Sequence, residues 1–578
     1  MRRIMLSMLA VAVALGSWTT CPAQVAPAGE MKTLATVAFS GYGEVRADLD
    51  FIGKIVENAE LGSGLEDILL MMTKDKGLQG LDKTKPWGLL VQTDGQQFPI
   101  YGFVPVTDVK TLLSVFEDIE VEDEGGLLKL SLEAAPAPAF VKEANGWAFI
   151  AANAEDLANV PDDPTIALNG LHERYDLAVK ASIKSVPPIF RQSVVGQLRL
   201  GAEAGLQRMP DEGEDEYAIR TGMTRRAIDQ MVTMVEELDE LLLGFAIDRD
   251  NGSVYVDVDV TAIEGTKLAE QFATVKPGPT DFAGFDLPGA AITGNWVGTL
   301  SDVEVAQAKS SIGTVRQTAL ESLKEEGLSE AELELATGLL NDVLDVVEQT
   351  LDAKKVDGGV VVMLEPAGTA VVVGGTIADG GKLEAVVKRL VGIITQDSPE
   401  LADAIKLDAQ THEGIRFHVF TMPVPEEDAK KLLGESIEVV LGVGTDSVYL
   451  AAGGNASSLL KQVIDKSKAE PGKVVPPLRI AVALTPIAVT AAQAVPTDVP
   501  GTAELLQKLA QDCQQTGGKD HISILSEGIP NGTRTRVEIE EGFLKVLISN
   551  GPLLMQTFQS LSEVMGGGKE DPFGDALQ

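Results

Sequence analysis

Apolar and polar residues alternate with period two at several places along the chain, most clearly through Val256, Asp257, Val258, Asp259 and Val260. Such alternation puts one set of side chains on each face of a half-buried strand. The alternating stretches come in pairs separated by a polar turn, and a segment of helical period follows each pair. This series, hairpin then helix, occupies residues 89–119, 243–275 and 360–391, with a fainter copy at 520–549. A second element, a strand running into a helix that opens near Asn153 or Asn455, recurs at 146–160 and 446–460. A third, a strand that leads into a helix, recurs at 35–40, 177–183, 291–297 and 478–484.

Similar elements in the same order at similar offsets point to duplication of a composite unit. The expected organisation is a first module over residues 33–276 and a second over 289–565. A Pro/Gly-rich connector at 277–288 separates them, and 566–578 reads as a disordered tail. Each module is expected to hold two strand–helix–hairpin–helix halves. The fold class is therefore α+β: two tandem related modules, each with mainly antiparallel sheets covered by helices.

Long stretches with apolar positions three and four apart fill the gaps between strands. They run over 189–209 and 222–243, either side of an acidic run at 211–216 that reads as a solvated loop. In the second module, 301–325 and 329–351 predict a helical hairpin, with Ser329 and Glu332 spaced as a capping box. Asn251-Gly252 and Asn531-Gly532 have the composition of two-residue hairpin turns.

The chain opens on Met1-Arg2-Arg3, an apolar run to Trp18, and small or polar residues to Gln24. That is the layout of a secretory signal peptide, cut near Ala23, so residues 1–23 are assigned to it. Cys21 could carry a lipid only as a new first residue, and Trp18-Thr19-Thr20 before it lack the pattern that lipidation requires. No later segment supplies the run of about 18–20 apolar residues that a membrane-crossing helix needs.

A formal charge of −39 repels nucleic acid and anionic membranes, so nucleic-acid binding is not expected. Besides Cys21 the one other cysteine is Cys513, on a predicted helix, where the thiol reads as a small buried hydrophobe. Hydrophobic residues make up 44% and aromatics 5%, which suits cores packed with Val, Leu, Ile and Ala.

Catalytic and metal signatures are weak. His172, His412, His418 and His521 form no close ligand spacing, and no CxxC pair occurs, so zinc is not expected. Ser458 and Lys461 match SxxK without its companion motifs, and read as helix surface. Residues 375–382 are out of register for a phosphate loop, and Gly442-Val443-Gly444 lacks the third glycine of a dinucleotide fingerprint. Asp248-Arg249-Asp250-Asn251-Gly252 begins like a calcium loop, but its glycine comes early and no bidentate Glu follows. No catalytic, cofactor-binding or metal-binding residue is assigned.

The repeated hairpin–helix segments, with a leader and an acidic two-module body, resemble uncharacterised exported bacterial proteins classed as domains of unknown function. The resemblance implies bacterial export, to the periplasm, cell surface or exterior, and an α+β architecture. It carries over no catalytic residue. The expected function is that of a non-enzymatic binding or structural protein of the envelope, its partner an unknown protein or small apolar ligand. The alternative is a metal-independent secreted hydrolase with dispersed Ser, Asp or Glu residues.

Overall fold

The computed structural model describes residues 30–553, apart from 58–60, 117–118, 133–136, 210–211, 326–327, 366–367, 426–429, 431–432, 495–501 and 552. The leader at 1–23 with Cys21, and the tail at 566–578, lie outside the described residues. The protein is α+β with extensive antiparallel sheet. Two compact units divide it. One is Met1–Phe272 with Ile529–Arg536, and the other is Ala273–Gly528 with Val537–Gln578.

The first unit opens with β1 (Lys32–Phe39), followed by helices α1 (Tyr42–Ile55) and α2 (Leu61–Met72). The hairpin β2 (Trp87–Thr93) and β3 (Ile100–Pro105) leads into α3 (Val109–Ser114), capped by Asp108. A meander comes next: β4 (Ile119–Asp123), β5 (Leu127–Leu132), β6 (Ala139–Ala144) and β7 (Trp147–Ala151). After short helical turns that include α4 (Leu171–Arg174) come β8 (Leu177–Ser182), α5 (Pro188–Gly205) and α6 (Glu214–Glu237). The hairpin β9 (Leu238–Asp248) and β10 (Ser253–Ala262) then leads into α7 (Lys267–Phe272). Antiparallel pairing runs β4-β5-β6-β7-β3-β2-β1-β8-β9-β10.

The second unit adds a short strand β11 (Gly278–Thr280), and Phe282 and Phe285 just after it are fully buried. Then come β12 (Ile292–Thr299), α8 (Asp302–Glu325), α9 (Glu330–Asp352), β13 (Lys355–Met363), β14 (Ala370–Thr376) and α10 (Gly380–Asp397). The meander is β15 (Ile405–His412), β16 (Ile415–Pro423), β17 (Ser436–Val443) and β18 (Ser447–Gly453), followed by α11 (Ala456–Ala469). The short β19 (Lys473–Val475) pairs with β11, and after it lie β20 (Leu478–Ala483), α12 (Leu484–Ala494), α13 (Thr502–Gln514), β21 (His521–Ile529) and β22 (Gly532–Glu540). Pairing runs β15-β16-β17-β18-β14-β13-β12-β20-β21, which repeats the first nine places, β4 to β9, of the first unit's order.

The strands expected to lead into helices are β1, β8, β12 and β20, and they pair in twos at the centre of each order, β1 with β8 and β12 with β20. The four hairpin–helix segments are β2–β3, β9–β10, β13–β14 and β21–β22, each running on into a helix. Ser329 and Glu332 close the expected capping box at the start of α9.

Turn chemistry differs in two places. Asp248 pairs with Ser253, so residues 249–252 form a four-residue loop and not a two-residue turn. Asp248 accepts hydrogen bonds from the Asn251 backbone and side chain, at 2.9 and 2.7 Å, which stabilises the wider loop. At the other hairpin the turn residues are Pro530-Asn531, and Gly532 already belongs to β22. Gly532 is glycine because a Cβ there would collide with the carbonyl oxygen of Val260.

Each unit buries one face of its sheet. In the first, Leu90, Phe103, Phe149, Leu157, Leu168 and Tyr175 surround Ala38, Ala178 and Leu242. In the second, Phe285 and Tyr449 stack at 9° and 6.5 Å. Gly359 and Gly374 beneath those rings leave no room for a Cβ.

Candidate functional site

The other face of the first unit's sheet has a different character. Register sets Phe39, Leu177, Phe245 and Val256 side by side on β1, β8, β9 and β10. The next row is Val37, Val179, Leu243 and Val258, and the row after it Ala35, Ala181, Leu241 and Val260. All twelve positions are apolar and none of them is buried. Leu243, at the middle of the block, is 52% exposed. On the reverse side of the same strands Ala38, Ala178, Leu242 and Asp257 are buried. Val260 packs at the edge against the Leu238, Ala262, Leu268 and Ala269 cluster, and nothing among the described residues buries the rest of the face; apolar surface left in this state costs hydration free energy, and a contiguous patch of this kind marks an interaction surface. In the second unit Val373 and Leu450, directly paired on β14 and β18, are likewise exposed.

One cluster in the second unit has the composition of a metal site. Glu384 on α10, Asp408 on β15 and His418 on β16 bring one ligand atom each within 4.8 Å of one another. Asp408 sits in a bulge with φ +50°, which aims its side chain at the cluster. A cation is already supplied: Lys388 Nζ lies 2.9 Å from Glu384 and 2.7 Å from Asp408. Arg416 forms a two-pronged bond to the same Glu384. His418 Nδ1 accepts the Asp408 backbone N–H at 3.2 Å, so the neutral ring carries its proton on Nε2. A metal-binding imidazole needs the reverse, a bare nitrogen on the metal and an N–H on the far side. Burial pushes the His418 pKa down, which keeps the ring neutral. The geometry is that of a lysine- and arginine-neutralised acidic cluster and does not fit a metal.

A carboxyl pair lies in the first unit. Asp48 on α1 is buried, with Arg249 Nε at 3.6 Å, and Asp176, which precedes β8, is the neighbouring acid. Burial, then the Asp176 charge, raise the Asp48 pKa to about 7. At 4% exposure Asp48 is closed to any substrate.

The other residues with candidate chemistry are dispersed. Ser458 is exposed in the first turn of α11 and Lys461 lies one turn on. His412 ends β15 and meets Asp465 at 2.6 Å, while His418 is buried beside Glu384. A Cβ on Gly380 would collide with the Gly444 carbonyl oxygen, so the two glycine-rich stretches pack on each other. Cys513 is buried beside Ala488, Ala510 and Val546, and burial pushes its thiol up to about 11. In the acidic run, Glu212 is no free loop carboxylate, because Arg220 grips it at 2.6 and 2.8 Å; Asp211 is outside the described residues. Sequence reading missed Glu384, Lys388, Asp408 and Arg416, which share no local motif and meet only through the α10–β15–β16 packing.

Comparison with protein-family models, curated proteins and solved structures gave no match.

Proposed function

We propose that this is an exported, non-enzymatic binding protein of the bacterial envelope, and that its ligand is a small apolar molecule taken on the open sheet face of the first unit. The observation that carries the reading is the block of twelve apolar, unburied residues centred on Leu243. No polar side chain interrupts those rows, so they offer no hydrogen bond to read a polar ligand, and aliphatic surface is what they match. The shared run of the two pairing orders supports two tandem related modules that arose by duplication.

Titration with a fluorescent long-chain alkyl probe tests the reading. Saturable binding to the intact protein, lost in Leu243→Glu, is the expected result. Absence of binding, or binding unchanged by Leu243→Glu, overturns it. Native mass spectrometry of protein from an exporting host, before and after organic denaturation, would weigh any carried ligand.

A further inference from the structure

We propose that a cleft in the second unit, between the β11–β19 ribbon and strands β12 and β20, binds a small zwitterion: a free α-amino acid with a short aliphatic side chain. The cleft has a volume of about 130 Å³. Sites for drug-sized ligands run to roughly 300–1,000 Å³, so only a smaller molecule fits here. Asn295 on β12 and Arg479 on β20 line it, together with Lys473 and Val475 of β19, Pro476, and Asp286. It shares no residue with the open sheet face of the first unit.

Two charges of opposite sign line this cleft without meeting. Among the described residues the Arg479 guanidinium makes no hydrogen bond or ion pair, and neither does the Asp286 carboxylate. Lys473 is already committed, 2.7 Å from Glu470. Both uncommitted groups stand on fixed backbone. Arg479 lies in register between Asn295 of β12 and Leu525 of β21. Asp286 follows the helical turn Ala283–Phe285, which is pressed onto α11. There the Gly284 N–H donates to Ser467 Oγ at 2.9 Å, and a Cβ on Gly284 would collide with the Val463 carbonyl oxygen. Lys466 of the same helix donates to the Asp286 carbonyl oxygen. Rigid elements thus hold a cation and an anion apart at one opening, which a carboxylate and an ammonium on one small molecule complement. The guanidinium presents paired N–H donors that match a carboxylate. Asn295 uses its Nδ2 on the Phe282 carbonyl oxygen at 2.8 Å, which leaves Oδ1 to accept from the ammonium beside Asp286. Val475 and Pro476 give the short side chain its apolar contact.

Calorimetric titration of the full chain with L-valine tests this, against isovalerate, which lacks the ammonium, and isobutylamine, which lacks the carboxylate. L-valine should bind saturably, and each analogue about tenfold more weakly or worse, as the loss of one charge-assisted contact requires. Arg479→Met should weaken L-valine by about tenfold or more. Arg479 holds no partner in the fold, so this variant should unfold at the wild-type temperature. Asp286→Asn should weaken L-valine and leave isovalerate unchanged. Absence of saturable L-valine binding overturns the proposal. So does isovalerate binding as tight as that of L-valine, or L-valine affinity unchanged by Arg479→Met; the last decides the matter even if Asp286→Asn fails to fold.

Discussion

Arg536 holds Asp257 with both prongs of its guanidinium, at 2.7 and 2.9 Å, across 279 residues of chain. Asp257 is fully buried, accepts a further hydrogen bond from Tyr175 at 2.9 Å, and lies under an arginine that stacks 3.8 Å over Tyr255. Burial alone would raise the Asp257 pKa, but the bonds from Arg536 and Tyr175 win and hold it below the usual carboxylate range. Arg534 makes the parallel contact to Asp259, both prongs at 2.7 Å. These pairs pin Ile529–Arg536 into the first unit. Arg536→Leu leaves the buried Asp257 charge with only Arg534 at 3.7 Å and the Tyr175 hydroxyl, and should cost about 3 kcal/mol in chemical denaturation. Adding Asp257→Leu to it should recover a large part of that loss, because the uncompensated charge is then gone.

The capping box at Ser329 makes a smaller prediction. Its hydroxyl accepts from the Glu332 N–H, and the Glu332 carboxylate accepts from the Ser329 N–H at 2.7 Å. Ser329→Ala should therefore lower stability by about 1 kcal/mol. The loss should be the same at neutral pH and mildly alkaline pH, since no group of the box titrates there.

Gly244 on β9 meets the ring of Tyr175, and a Cβ would stand 2.5 Å from it. Gly244→Ala should displace the ring from Asp257 and cost about 1–3 kcal/mol. Near-ultraviolet circular dichroism should report the loss of tyrosine order, and an unchanged spectrum would count against the contact.

Local signals in the sequence were enough for the elements. Strand alternation, helical period and the Ser329 box each act over a few residues, and the hairpins stand where those patterns put them; the helix expected over 222–243 ends at Glu237 because Leu238 opens β9, and the acidic run expected as a loop is helical from Glu214. Loop length was not legible, because whether Asn251-Gly252 closes two residues or four depends on Asp248 pairing with Ser253. The buried Asp257 looked like the polar half of an alternating strand; its partner lies in another part of the chain, and no local pattern points to Arg536. The same holds for the open apolar face. Val179 and Val258 read as ordinary core, and only register and exposure reveal that nothing among the described residues buries them.

His418 gives a pH prediction of definite sign. Its ring is 5% exposed, and Nδ1 already accepts the Asp408 N–H, so a second proton on that nitrogen would face a donor. Burial lowers its folded-state pKa first; the charges of Lys388 and Arg416 act in the same direction, while Asp408 and Glu384 oppose them. A histidine with a depressed folded pKa contributes stability that is present above its unfolded value, about 6.5, and is lost as pH falls through the folded value. Between those two values the unfolded chain binds the proton and the native one does not, so stability must fall as acid is added. The slope from this one group is at most about 1.4 kcal/mol per pH unit. Urea denaturation of the wild type and of His418→Gln at pH 7.5, 6.0 and 5.0 should show a steeper acid loss in the wild type. Equal slopes would mean that the ring titrates alike in both states. A steeper loss in His418→Gln would mean that the neighbouring acids, Glu384 and Asp408, raise the imidazole pKa after all.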